Sequence, residues 1–320
     1  MAPLPFNLSL VQFLADHRTS YLTHFFLAIT FFGGAGAYFL IAIFIYVAWN
    51  KQLAIRLLVL VLLTMTLNEI LKMVIGNPRP FIRERTWLKK WAVSPEEAAR
   101  LAAEYSTPSG HAMGSSAFYS YLYGCIRSRA VRVIAVVAIL LIGISRPYLG
   151  VHYAEDVLIG WAFGLSLALV SIRYGEAIAS AWNRFSSMQE IGATLAGSLA
   201  LWLLAVLLNG GQTAGQPRNA LYYAGFLTGI VIARRLEVSR VNFDPKSSSV
   251  VEKILRYLLS VGMVIFTLVI LRAGFEMAVD RASVFWNLAE YLRSAAAGFV
   301  AIFVAPLLFT RIGWARRATM

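Results

Sequence analysis

The sequence is poor in charge, in acid and in cysteine. Of its 320 residues 14% are charged and 59% are hydrophobic, whereas an ordinary soluble domain carries about 25% charge. This excludes a cytoplasmic globule of usual composition and a disordered chain, which has too little apolar surface to bury. Cys125 is the single cysteine, so no intrachain disulfide framework exists. The simplest expectation for it is a small buried hydrophobe. Acids are scarce as well: 16 Asp+Glu stand against 29 Lys+Arg, a net charge of +13. A basic balance can mark a nucleic-acid binder. Here the basic residues lie between long apolar runs, so a membrane accounts for them and no nucleic-acid partner is expected. Residues 1–18 lack a basic start, and Pro3, Pro5 and Asp16 interrupt any apolar region, so a cleavable leader is not expected. There is no repeat of solenoid period and no low-complexity tract.

What is present is a series of apolar stretches long enough to be read as transmembrane helices. About nine are found, near 22–49, 53–75, 109–126, 131–147, 156–174, 189–209, 218–233, 254–273 and 292–311. The expected fold is an all-α integral membrane protein. Residues 1–21 read as a short amphipathic helix on the membrane surface, with Phe6, Leu10, Phe13 and Leu14 at helical spacing. Residues 22–180 read as one helical bundle and 181–320 as additional helices without evident chemistry. The run Gly33-Gly34-Ala35-Gly36, and Gly160 with Gly164, read as points of close helix packing.

Charge orients the chain. The loops 50–56, 126–132, 173–190, 234–256 and the tail from Arg311 hold 16 basic residues and 5 acids. The alternate loops hold 12 and 10. The positive-inside rule then makes the first set cytoplasmic, with the N-terminus outside and the C-terminus inside. Loop 77–107 falls outside; Trp87, Lys89, Lys90 and Trp91 are placed at headgroup level, and residues 95–105 read as a surface helix that starts at Pro95.

Ionisable groups at a membrane are costly, so their positions are informative. Three clusters occur, all on the outer side. The first is Lys72 with Arg79-Pro80, where the second stretch exits. A snorkelling lysine and a flanking arginine would also explain it. The second is Pro108-Ser109-Gly110-His111, which opens the third stretch. Its free amides attract an anion, although a capping serine and an interfacial histidine would look the same. The third is Ser145-Arg146, His152 and Asp156. His152 and Asp156 are four apart, on one helical face, where the carboxylate can orient the imidazole or form a structural ion pair. Taken together they offer three cations, two histidines and one carboxylate, suited to nucleophilic and acid–base work on a tetrahedral oxyanion. No cluster of acidic ligands is present to hold Mg²⁺, so metal-free chemistry is expected.

These clusters resemble the tripartite signature of the type 2 phosphatidic acid phosphatase (PAP2) superfamily, K-x6-RP, PSGH and SR-x5-H-x3-D, with all eleven specified positions in order. The resemblance covers about 53–165. The layout is similar to the glucose-6-phosphatase and sphingosine-phosphate phosphatase branch, although Asp156 is as in the lipid phosphatases. It implies a PAP2-type bundle with its active site on the outer face and a metal-independent phosphoric monoester hydrolase that needs no cofactor. It further implies His152 as nucleophile, Asp156 as its orienting partner, and His111 as acid and base. Lys72, Arg79, Ser109, Gly110 and Arg146 would bind phosphate. The implied substrate is a lipid phosphate or pyrophosphate within the membrane. A soluble sugar phosphate, phosphotransfer to another acceptor, and transport of an anionic solute are the alternatives. Glu69, one turn before Lys72, is read as mainly structural, and no role is given to Tyr148 or His17. The short loops lean toward a bacterial inner membrane.

Overall fold

The computed structural model describes residues 4–83, 99 and 101–318. The described residues are almost wholly helical, and the one β-feature among them is an isolated antiparallel bridge between Phe243 and Arg317. The helices are α1 (Ser9–Asp16), α2 (Ser20–Phe31), α3 (Ala35–Ala48), α4 (Lys51–Ile75), α5 (Pro80–Arg83), α6 (Gly110–Cys125), α7 (Arg129–Tyr148), α8 (Ala154–Trp182), α9 (Ser187–Leu208), α10 (Gln216–Leu236), α11 (Val250–Ala278), α12 (Phe285–Phe299) and α13 (Ala305–Arg311). Two π-turns, Glu237–Val241 and Val300–Val304, extend α10 and join α12 to α13.

Every apolar stretch of the sequence falls on a helix, but nine spans are not reached by length and composition. Among the described residues six helices are long and apolar enough to cross a membrane, and α2 with α3 makes a seventh if that pair, bent by 52°, is one span. Helix α6 has 16 residues, which rise about 24 Å against a hydrocarbon core of about 30 Å. Helix α10 carries Arg218, Arg234 and Arg235, which lower its hydropathy. Leu158 on α8 and Ile134 on α7 are among many exposed apolar side chains on these helices. That surface suits lipid rather than water: the protein is an integral membrane protein. Cys125 corrects an expectation, since it is exposed at the end of α6 rather than buried. Of the expected 95–105 helix, residues 95–98 and 100 lie outside the described residues, as do Trp87, Lys89, Lys90 and Trp91; Ala99, Leu101 and Ala102 are helical, whereas 103–105 are not.

The chain divides into two compact units. The first comprises Met1–Tyr38 and Leu67–Gly175. Its helices approach closely where side chains are absent. A Cβ on Gly164 would lie 2.2 Å from the Met113 carbonyl oxygen of α6, and one on Gly33 would lie 2.5 Å from Ile142 of α7. At that separation Ser116 Oγ on α6 donates to the Trp161 carbonyl of α8 at 3.0 Å. The N-terminal segment is tied down by Leu4 N–H to Asn77 Oδ1 and Asn7 N–H to Glu155 Oε1, both 3.0 Å. Arg18 Nε donates to the Tyr148 carbonyl at 2.7 Å.

The second unit comprises Phe39–Thr66 and Glu176–Met320. Capping boxes at Ser186/Gln189 and Ser249/Glu252 start α9 and α11, each satisfying backbone donors that a helix start leaves unpaired. Small residues form a seam between α10 and α12: a Cβ on Gly229 would lie 2.0 Å from the Ala295 carbonyl oxygen. Charges inside this unit are mostly paired. Lys51 meets Glu237 at 2.9 Å, and Arg234 and Arg235 hold Glu190.

Candidate active site

The site lies within the first unit and is assembled from the ends of α4, α6, α7 and α8 with the segments that join them. Helix α4 stops at Gly76, whose positive φ of 63° suits a left-handed C-terminal residue. That stop places Lys72 in the last turn and releases Asn77 and Arg79 into the next segment. Asn77 joins two parts of the site. Its carbonyl accepts from Ser106 N–H at 2.8 Å, and its side-chain Nδ2 donates to Thr107 Oγ1 at 3.0 Å.

Asp156, in the first turn of α8, is completely buried. Ser106 and Thr107 hydroxyls donate to its two oxygens, and Tyr153 N–H donates to Oδ2 at 2.9 Å. Its own carbonyl accepts from Ser109 N–H at 3.0 Å, which ties the PSGH segment to the start of α8. A carboxylate held by this many donors keeps its position.

His152 lies between the two. Its Nδ1 is 3.2 Å from Asp156 Oδ2, and its Nε2 is 3.1 Å from Arg79 Nη1. A guanidinium can only donate, so Nε2 accepts and Nδ1 carries the hydrogen toward the carboxylate. In this tautomer the one imidazole lone pair is on Nε2, where it accepts from Arg79 and becomes available for attack only when that hydrogen bond is given up. Burial, then the Arg79, Arg146 and Lys72 cations, hold the His152 imidazole well below its ordinary range. It is therefore neutral at neutral pH.

Arg79 is fixed by three further contacts. Nη1 donates to the Val151 carbonyl at 3.0 Å, Nε to the Glu104 carbonyl at 3.2 Å, and Nη2 to Glu104 Oε2 at 3.1 Å, while Glu104 Oε2 also lies 3.1 Å from Lys72 Nζ. One carboxylate oxygen thus bridges two cations, the geometry a phosphoryl oxygen requires. Glu69 Oε1 stands 4.0 Å from Lys72 Nζ, in keeping with a structural role. Arg146, in the last turn of α7, donates to Thr30 Oγ1 on α2. Arg146, His152, Lys72 and Arg79 are all near enough to His111, in the first turn of α6, to act on its charge. Ser109 caps that helix, its Oγ accepting from Ala112 N–H at 3.5 Å. Gly110 faces Asn68, whose Oδ1 would be 3.0 Å from a Cβ there.

The three sequence clusters therefore converge. Hydrogen bonds link Arg79, His152, Asp156 and Ser109 directly, Lys72 joins through Glu104, and His111 and Arg146 complete the surround. The sequence reading missed Asn77, Glu104, Ser106, Thr107 and Thr30. Position within the first motif and directly before PSGH was the available signal for Asn77, Ser106 and Thr107; Glu104 and Thr30 had none. Among the described residues no three His, Cys, Asp or Glu side chains gather as a metal site.

Known families match two regions of the chain. Residues 53–179 match the PAP2 superfamily, and residues 221–317 match the PAP2 superfamily phosphatase transmembrane extension. Phosphatidylglycerophosphatase B of Bacillus subtilis is 36% identical over 103 residues, which are 28% of this chain and 51% of the relative. Undecaprenyl-diphosphatase of Sulfolobus acidocaldarius is 27% identical over 125 residues, 39% of this chain and 56% of the relative. The chain thus spans about half the length of these curated relatives. The crystal structure of Aquifex aeolicus LpxE overlays with a TM-score of 0.44 at 24% identity, covering 52% of this chain and 95% of that one. A transmembrane PAP2-type phosphatidylglycerolphosphate phosphatase from Bacillus subtilis gives 0.43 at 25% identity, covering 53% and 85%. With its three motifs gathered on one site and both family regions present, the chain belongs to the PAP2 superfamily.

Proposed function

We propose that this protein is a membrane phosphatase that hydrolyses a lipid phosphate or pyrophosphate through a phosphohistidine, at the outer face of a bacterial inner membrane. The observation that carries the reading is the line Arg79–His152–Asp156, which holds a neutral, correctly oriented imidazole beside fixed cations. His152 Nε2 attacks phosphorus as the bond to the leaving oxygen breaks, and His111, protonated once the bound phosphate offsets the surrounding cations, gives that oxygen a proton. Water then attacks the phosphohistidine, His111 takes a proton from the water, and the N–P bond breaks to release phosphate. Lys72, Arg79 and Arg146 bind the equatorial oxygens, where charge spreads in the transition state. Ser109 and the Gly110 N–H add donors at the start of α6. Asp156 offsets the positive charge that develops on His152.

The names of the curated relatives, a phosphatidylglycerophosphatase and an undecaprenyl-diphosphatase, support a lipid substrate. The site at helix ends of an integral membrane protein supports entry of a headgroup whose tail stays in the bilayer. The test is phosphate release by purified wild type and His152→Ala, in EDTA, from phosphatidylglycerol phosphate, a polyprenyl pyrophosphate and glucose 6-phosphate. Release from the lipids that is lost in the variant is expected. Preference for glucose 6-phosphate would overturn the substrate class, and full activity of His152→Ala would overturn the nucleophile.

A further inference from the structure

The second unit carries a different concentration of positive charge. A pocket of about 350 Å³ is lined by Arg240, Arg311 and Arg317, with Thr310, Phe303 and Leu307. All three arginines are exposed, and none forms an ion pair among the described residues. No carboxylate lines the pocket. A second arginine group in this unit, Arg218, Arg272, Arg281 and Arg293, differs in having carboxylates within it: Glu276 pairs with Arg272 and Arg281, and Glu290 with Arg293.

The pocket is also built by irregular backbone. Arg240 lies in the π-turn Glu237–Val241, and Phe303 lies in the π-turn Val300–Val304. π-Turns are rare and concentrate at functional sites. After the first, Asn242 takes a left-handed conformation with φ 44°. The chain then pairs with the C-terminal segment: Asp244 N–H donates to the Arg316 carbonyl at 2.9 Å, and Arg317 Nη2 to the Arg240 carbonyl at 3.1 Å. This holds Arg240 and Arg317 beside each other. Phe303, Leu307 and Arg311 follow at intervals of four, so an apolar strip along one face runs up to a guanidinium. The Thr310 hydroxyl is buried and has no partner among the described residues.

We infer that this pocket binds the phosphate headgroup of an anionic phospholipid, with an acyl chain along Phe303 and Leu307. Guanidinium groups match phosphate oxygens in planar, paired hydrogen bonds, the Thr310 hydroxyl adds a donor, and the strip behind them is apolar where a chain would lie. Basic pockets where helices leave the bilayer are suited to such headgroups.

The test measures lipid retained by the delipidated full-length protein in detergent, by native mass spectrometry, with phosphatidylglycerol against phosphatidylcholine. Phosphatidylglycerol is a phosphodiester and lacks the monoester that the proposed chemistry cleaves, so the outcome does not depend on turnover. Wild type is expected to prefer phosphatidylglycerol. Arg311→Gln should lose about fivefold, the equivalent of about 1 kcal/mol, and Arg311→Lys less. Combined Arg240→Gln, Arg311→Gln and Arg317→Gln should abolish the preference. If the triple variant does not elute as folded protein, Arg311→Gln and Thr310→Val carry the test. Equal retention of both lipids, or an unchanged preference in the variants, would overturn the inference. Displacement by millimolar glycerol phosphate would show a site for free phosphate instead, and would overturn the lipid assignment.

Discussion

Among the described residues, Arg79 and Arg256 are the two largest fully buried side chains, one in each unit. Arg79 spends its donors on one carboxylate, two backbone carbonyls and a histidine ring nitrogen. Arg256 gives one hydrogen bond, from Nη1 to the Val47 carbonyl at 3.0 Å, and lies 5.7 Å from the centre of the Phe309 ring. Its Nε and Nη2 have no partner among the described residues. Burial of a cation is thus not the mark of catalysis. What distinguishes Arg79 is that its neighbours hold it aimed at the His152 imidazole, the proposed nucleophile, whereas Arg256 is aimed at a carbonyl and an aromatic face. The exposed arginines of the second unit make a third case, open to a ligand rather than committed to a reaction.

The comparison can be broken most sharply at Asp156. Asp156→Asn should lower kcat by about 10²–10⁴-fold, because an amide no longer selects the His152 tautomer, while lipid binding in the second unit is unchanged. A kcat within a few-fold of wild type would show that the orientation of His152 comes from elsewhere. Next, Ser106→Ala with Thr107→Val removes the two hydroxyls that hold Asp156. We expect a loss in kcat of about tenfold with KM little changed, because each hydrogen bond to a charged group is worth about 1.5–3 kcal/mol and only part of that acts on the transition state. An effect confined to KM would assign these hydroxyls to substrate binding instead.

Acid titration gives a smaller effect of definite sign. Neutral His152 is the nucleophilic form, and burial together with the nearby cations lowers its pKa. The acid limb of kcat/KM is therefore expected below about pH 6.5, the ordinary histidine value. Arg146→Gln removes a repelling cation, so the limb should move upward. Substrate ionisation is common to both proteins and cancels in the difference, and a limb that stays in place would detach Arg146 from His152. Glu104→Gln should lower KM several-fold, because a competing carboxylate leaves Lys72 and Arg79. A raised KM would mean that Glu104 holds those cations in position. Smallest of all on activity is Arg256→Met. Activity per folded molecule should stay within about twofold and the Tm should hold or rise, since apolar replacement of a buried charge is often neutral or stabilising. A large loss of kcat would place Arg256 alongside Arg79.

Much of the site was legible along the chain. Spacing put Lys72 and Arg79 at a helix exit and Ser109 at a helix start, and it put His152 within reach of Asp156, although His152 precedes α8 rather than sharing its face. The helical character of every apolar stretch was legible too, because hydrophobic runs of that length have few alternatives in lipid. The span count was less so, because a 16-residue α6 and the bend after Phe31 depend on neighbouring packing rather than on local hydropathy. Glu104 was hidden for a similar reason: a single glutamate in a polar stretch has no periodicity that marks it.

The sequence by itself determined which groups could form the proposed site and that the setting is a membrane, because residue type and spacing set which groups can come together and which stretches can lie in lipid. Only the tertiary structure decided which neutral groups brace Asp156, which carboxylate bridges Lys72 and Arg79, and where the unpaired arginines of the second unit collect. Those relations join residues far apart in the chain, and the close approach that makes them depends on where helices stop, bend and pack against glycine. No local pattern carries that information.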